Sequence, residues 1–105
     1  ITGTKSKKNP YFNIVEIVKK KVKKVISANK KIFRRQDAPQ TYDMNASIYI
    51  YNRKTLINSK SVIESLEKNG KGKAILYEMP ESRSIDIDNE FDFKLVKFLI
   101  KKSFI

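Results

Sequence analysis

The stretch Ser84-Ile85-Asp86-Ile87-Asp88-Asn89-Glu90-Phe91-Asp92 decides how this chain is read. In an extended segment successive side chains alternate between faces, so Ile85 and Ile87 are expected to anchor in a core while Asp86 and Asp88 project together on the other side. Two residues at ~3.3 Å each place those two positions about 7 Å apart along the backbone. Carboxylates that close repel one another, and a hard cation held by oxygen ligands and water relieves the repulsion. Mg²⁺ suits such a site better than a soft metal. The end of a short strand, just before a helix, is also where open α/β sheets bind ligands. The competing reading is purely structural, with Asp88 capping the helix and Asp86 solvated. Asp88 or Asn89 can serve as the cap, Glu90 and Asp92 suit the positive end of a helix, and Phe91, Leu95, Phe98 and Leu99 mark one face of it.

Upstream of this stretch, Lys73 to Met79 reads as a strand stopped by Pro80, and Asn69-Gly70-Lys71-Gly72 as a turn closing a helix within Lys54 to Lys68. Ser47-Ile48-Tyr49-Ile50-Tyr51 places bulk on both faces, as an internal strand requires. Before it comes a polar loop with a proline, Arg34-Arg35-Gln36-Asp37-Ala38-Pro39-Gln40. A guanidinium fork matches a carboxylate or phosphate with two parallel hydrogen bonds, and a neighbouring amide can read a hydroxyl. The alternative for these arginines is a surface ion pair with Asp37 or Asp43. Asn45, in Tyr42-Asp43-Met44-Asn45, is placed to face the same ligand. Ile14 to Ile26 is open to two readings. Ile14, Ile17, Val18, Val22 and Val25 recur at helical spacing, yet they are β-branched and follow Asn9-Pro10, which biases the chain toward extension. Two strands broken near Lys19-Lys20-Lys21 are expected.

The chain has 105 residues, enough for one compact core. It contains no cysteine and no histidine, which excludes disulfides, thiol or imidazole catalysis and the usual zinc sites. No run approaches the ~18 apolar residues of a spanning helix, and Ile1-Thr2-Gly3-Thr4-Lys5 is not a secretory signal, so a cytoplasmic protein without membrane partners is expected. The net charge of +12 is concentrated early: residues 1–36 hold twelve Lys or Arg against Glu16 alone. A basic platform for nucleic acid is one reading, testable by a salt-dependent affinity. It is not the favoured one, because lysine dominates and the exposed aromatics and arginine forks used to stack bases are missing. A solvated face, or a surface drawing in an anionic substrate, fits the composition better.

Taken in order, Asn9-Pro10-Tyr11-Phe12-Asn13, Arg34-Arg35-Gln36-Asp37-Ala38-Pro39 with Tyr42 and Asn45, Tyr77-Glu78-Met79-Pro80 and Ser84-Ile85-Asp86-Ile87-Asp88 resemble the acylneuraminate cytidylyltransferases, or CMP-sialic acid synthetases. The resemblance spans nearly the whole chain. It implies an α/β fold with a mixed sheet, the C-terminal part of a Rossmann-like nucleotide-diphosphosugar transferase, carrying a β-rich dimerisation arm over residues 9–50. The implied reaction moves CMP from CTP to the anomeric hydroxyl of a nine-carbon sugar acid, releases pyrophosphate and uses Mg²⁺.

By the same resemblance Asp86 and Asp88 are catalytic metal ligands. Arg35 and Gln36 hold the acid sugar across a homodimer interface, with Asn45 nearby. Ala46 stands where the family often has glycine. The family's loop that cradles the CTP phosphates has no counterpart here, so residues 1–105 are expected to be the C-terminal half of a synthetase, inactive alone. A noncatalytic dimerisation module derived from such an enzyme is a further alternative. Neuraminate, legionaminate and pseudaminate synthetases would share these motifs.

Overall fold

A computed structural model describes residues 1–27, 32–45, 47–61, 64–67 and 72–103, apart from the Glu64 side chain. The chain divides into two compact units, Lys5–Asp43 and Ile1–Thr4 with Met44–Ile105. The elements in order are β1 (Thr2–Lys5), β2 (Val15–Val18), β3 (Lys21–Lys24), β4 (Tyr42–Asn45), α1 (Arg53–Asn58), β5 (Tyr77–Glu78) and α2 (Glu90–Lys101). Single turns of 3-10 helix lie at Arg35–Asp37, Glu64–Leu66 and Glu81–Arg83. This is a mixed α/β arrangement. One three-stranded sheet has the order β4-β1-β5, with β1 and β5 parallel through Thr2 opposite Tyr77 and Gly3 opposite Glu78. Strands that pair after so long an excursion need a crossover connection rather than a hairpin.

The unit Lys5–Asp43 contains the antiparallel hairpin of β2 and β3 that β-branching favours over a helix. Ile17 pairs with Val22 and Val18 with Lys21, so only Lys19 and Lys20 form the loop. Both have positive φ, 50° and 64°, the conformation of a two-residue type I′ turn. Such turns favour Asn-Gly because a side chain in this region costs ~1–2 kcal/mol per residue. The double substitution Lys19→Asn, Lys20→Gly is therefore expected to stabilise the hairpin by about 1 kcal/mol and raise the thermal midpoint by roughly 4 °C. A melting curve with an unchanged or lower midpoint would contradict this turn.

In the second unit Asn52 caps α1 by accepting from the Thr55 amide at 3.2 Å. The helix is shorter than the expected span: Asn58 Nδ2 turns back onto the Lys54 carbonyl at 2.9 Å, and the Ser59 amide closes on Leu56 at 3.2 Å. Such local polar side chains compete with helix continuation. Of the expected Asn69–Gly72 turn only Gly72 lies among the described residues, at φ +92°. An alanine there would strain the backbone and bring its Cβ to 3.0 Å from Thr55 Cγ2.

Three expected strands are absent or reduced. Ser47–Tyr51 forms no ladder among the described residues: Asn45 Oδ1 captures the Ser47 amide at 2.7 Å and diverts the chain at its start. Tyr49 and Tyr51 still stack, with ring centroids 6.1 Å apart, as residues two apart in an extended segment can. Lys73–Met79 keeps only β5, and Ser84–Asp88 forms no ladder with any described strand. All three segments have strand-forming side chains, but a strand exists only where a second backbone accepts its hydrogen bonds. The core is correspondingly small. Among the described residues Ile32 is the buried apolar side chain, at 5% exposure, and the Lys24 ammonium donates to its carbonyl at 3.1 Å.

Helix α2 starts as the sequence indicates, and of its expected face Leu99 is half-buried while Phe91, Leu95 and Phe98 are exposed. Asn89, not Asp88, is the cap: its Oδ1 accepts from the Asp92 amide at 2.9 Å. The half-buried side chains are Asp92, Val96 and Leu99, a single stripe at helical spacing. Phe91 and Phe98, one residue back from that stripe, are 75% and 51% exposed. A neighbour in sequence on a helix sits about 100° away, so the aromatic stripe lies to the side of the contact made within this unit. Glu90 and Lys94 form an exposed pair at 3.0 Å, worth a few tenths of a kcal/mol.

Candidate active site

Asp86 and Asp88 lie in the irregular segment that leads into α2, and both are exposed. Neither carboxylate has a hydrogen-bond or ion-pair partner among the described residues. Each carboxylate offers hard oxygen donors, the ligand type taken by a divalent ion that keeps several waters. The expected core anchors are weaker than the alternation implied. Ile85 is half-buried and lines a shallow cleft of about 370 Å³ with Ser82, Arg83 and Val96, whereas Ile87 is 53% exposed. Ser84 Oγ, at the head of the same motif, is buried without a partner among the described residues. Because Asn89 takes over the capping role, the Asp88 carboxylate is not consumed by the helix start.

Asn45 belongs to the same unit as the two aspartates, but it is buried, at 4% exposure. Its Oδ1 accepts from the Ser47 amide, and its carbonyl accepts from Thr2 Oγ1 at 3.2 Å. The position therefore shapes the chain leaving β4, and only the Nδ2 group is left to meet another molecule. A second cavity of about 290 Å³ in this unit is lined by Ile50, Tyr51, Thr55, Leu66, Lys73 and Ile75 among others, and by none of the expected site residues.

Arg35 and Gln36 lie in the other unit, on the 3-10 turn Arg35–Asp37. The two arginines of this loop make different contacts. Arg34 makes the surface pair, with Nε on Asp37 Oδ2 at 3.1 Å and Nη2 on Asp37 Oδ1 at 3.2 Å. Arg35 donates through Nη2 to the carbonyls of Ser6, at 3.2 Å, and Lys7. Its remaining donors make no hydrogen bond to described residues, and the Gln36 side chain is likewise exposed without one. A guanidinium fixed by one edge and open along the other can still accept a carboxylate.

Sequence reading missed what holds this loop. Asn9, 6% exposed, is a knot of hydrogen bonds. Its Nδ2 donates to the Pro39 carbonyl at 2.7 Å and its Oδ1 accepts from Tyr11 N at 2.9 Å. Its amide donates to Asn13 Oδ1 at 2.7 Å, and its carbonyl accepts from the amides of Phe12, Asn13 and Ile14 at 2.8–3.1 Å. The sequence signal was there in Asn9-Pro10 and the second asparagine at Asn13, a turn-initiating pattern read only as a bias toward extension. Asn9 thus joins the segment 9–13 to the segment carrying Arg35. Asn9→Ala strands several buried groups and is expected to cost ~2–3 kcal/mol. Denaturant melts of variant and parent check this; a difference under about 0.5 kcal/mol would show the knot to be incidental.

The sequence carries its own comparison. Over 100 residues the chain is 48% identical to CMP-N,N'-diacetyllegionaminic acid synthase of Campylobacter jejuni, a match covering 95% of this chain and 39% of that protein. Over 102 residues it is 45% identical to post-translational flagellin modification protein B of Campylobacter coli, covering 97% and 40% respectively. The chain spans about two fifths of the length of these relatives. No family model matches it, and no solved structure does. Identity near one half along almost the whole chain leads to one conclusion: the chain belongs to the acylneuraminate cytidylyltransferase, or CMP-sialic acid synthetase, family.

Proposed function

We propose that residues 1–105 form part of a CMP-nonulosonic acid synthetase, which joins CTP and a nine-carbon sugar acid to give the CMP-sugar and pyrophosphate. The 48% identity to a CMP-N,N'-diacetyllegionaminic acid synthase is the observation that carries this reading. In it Asp86 and Asp88 hold the divalent ion against the triphosphate, and Arg35 with Gln36 binds the sugar carboxylate and a neighbouring hydroxyl. A bound Mg²⁺ supplies neutralisation of the phosphate charge, including that which builds on the departing pyrophosphate. The protein's share is placement: the acids fix where the triphosphate lies and the guanidinium fixes the sugar, so that the anomeric oxygen meets the α-phosphorus in line. Residues 9–50 act as a dimerisation arm in a cytoplasmic homodimer, and the rest of a longer chain supplies the Rossmann-like CTP site.

The exposed aromatic stripe of α2 and the segments 47–51 and 84–88, which join no strand ladder among the described residues, support a larger sheet that this chain helps to build. Legionaminate is the preferred sugar on the same identity. The test is pyrophosphate release by the full-length protein with CTP, Mg²⁺ and a panel of neuraminate, legionaminate and pseudaminate derivatives. Release that requires both CTP and one of these acids is expected. CTP turnover indifferent to every sugar acid would overturn the assignment.

A further inference from the structure

We propose that Asp92 is the positioning residue of the metal site, acting through the backbone of Asp88; this rests on the reading of Asp86 and Asp88 as divalent-ion ligands. Asp92 Oδ2 accepts the Asp88 amide at 3.1 Å, while the Asp92 amide donates to Asn89 Oδ1 at 2.9 Å. The two bonds close a reciprocal loop across residues 88–92, a variant of the capping box in which the returning side chain reaches one residue further back.

The loop is significant because of what the segment lacks. From Ile85 to Asp88 no backbone hydrogen bond ties the chain to another described strand. A ligand in a sheet is aimed by its ladder; Asp88 has none, and its amide is held by the Asp92 carboxylate. Helix α2, anchored by Val96 and Leu99 on the same face as Asp92, thereby sets the direction in which the Asp88 side chain leaves the backbone. Asp92 itself does not join the cation. It is half-buried with one oxygen engaged, and no group of three acids converges on a metal position among the described residues.

Outer groups that orient a metal ligand typically govern affinity by ~10–100-fold. The full-length protein and its Asp92→Ala, Asp92→Asn and Asp88→Ala variants are titrated with Mn²⁺, free ion being read by electron paramagnetic resonance, with helix content followed by far-ultraviolet dichroism. Asparagine keeps an oxygen that can accept the Asp88 amide. Asp92→Ala is thus expected to raise the Mn²⁺ dissociation constant about tenfold with helix content unchanged, and Asp92→Asn by less than about threefold. Asp88→Ala is expected to lose the tight site. An Asp92→Ala protein that binds Mn²⁺ as the parent does, while Asp88→Ala does not, overturns the positioning role alone. Asn and Ala variants equally weakened also overturn it, since charge rather than the hydrogen bond would then be what counts. Asp88→Ala with parental affinity overturns the metal reading beneath it.

Discussion

Replacing Asp86 or Asp88 by alanine in the full-length protein is expected to lower kcat at saturating CTP and Mg²⁺ by at least ~10²–10³-fold, the scale of losing a group aimed at transition-state charge. The physical reason is charge. A triphosphate brings several negative charges to the reacting phosphorus, and two carboxylates with no counter-ion among the described residues can tolerate that approach only through a divalent ion. Without one of the two acids, a bound ion would have one protein ligand fewer to hold it. Raised Mg²⁺ should recover part of the lost rate in each single variant and little in the double variant. Steady-state rates across a Mg²⁺ series check this. Full activity with an unaltered Mg²⁺ dependence in both single variants would remove these residues from the chemistry.

The second large effect belongs to Arg35. Arg35→Ala is expected to raise the sugar-acid KM by ~10–100-fold, because a charged hydrogen-bonded pair is worth about 1.5–3 kcal/mol and each 1.4 kcal/mol is a factor of ten. The CTP KM should hardly move. Lysine is not expected to rescue, since a point charge cannot both keep the Ser6 and Lys7 carbonyls and present a second edge to a carboxylate. Gln36→Ala should show the same direction with a smaller size. Because Arg35 also ties its own loop, thermal melts accompany the kinetics. A lower midpoint with an unchanged sugar KM would make Arg35 a structural residue only.

What could be read in advance follows the range of the interactions. The β2–β3 hairpin was legible because β-branching and a lysine-rich break are local signals, as was the start of α2, where Asn89 and two acids mark a helix N-terminus. Asn9 was named but misjudged: a turn initiator was visible, while its bond to Pro39, thirty residues away, was not. The segments Ser47–Tyr51 and Ser84–Asp88 have the side chains of strands, but pairing depends on a second backbone that side-chain pattern does not specify. Of the expected face of α2 only Leu99 is half-buried, because apolar character marks what can be buried, not against which neighbour. Phe91 and Phe98 are available to one surface while Val96 and Leu99 already serve another. For the site, sequence supplied the residue types; that Arg34 takes the pair with Asp37 while Arg35 turns to the carbonyls of Ser6 and Lys7 was not legible in it.

The most direct measurement is paramagnetic. Isotope-labelled full-length protein titrated with Mn²⁺ in place of Mg²⁺ should show saturable broadening centred on the amides of residues 86 to 89, and excess Mg²⁺ should reverse it. Broadening centred elsewhere in the protein, with those amides left sharp, would contradict the assignment of the paired aspartates as the metal's ligands.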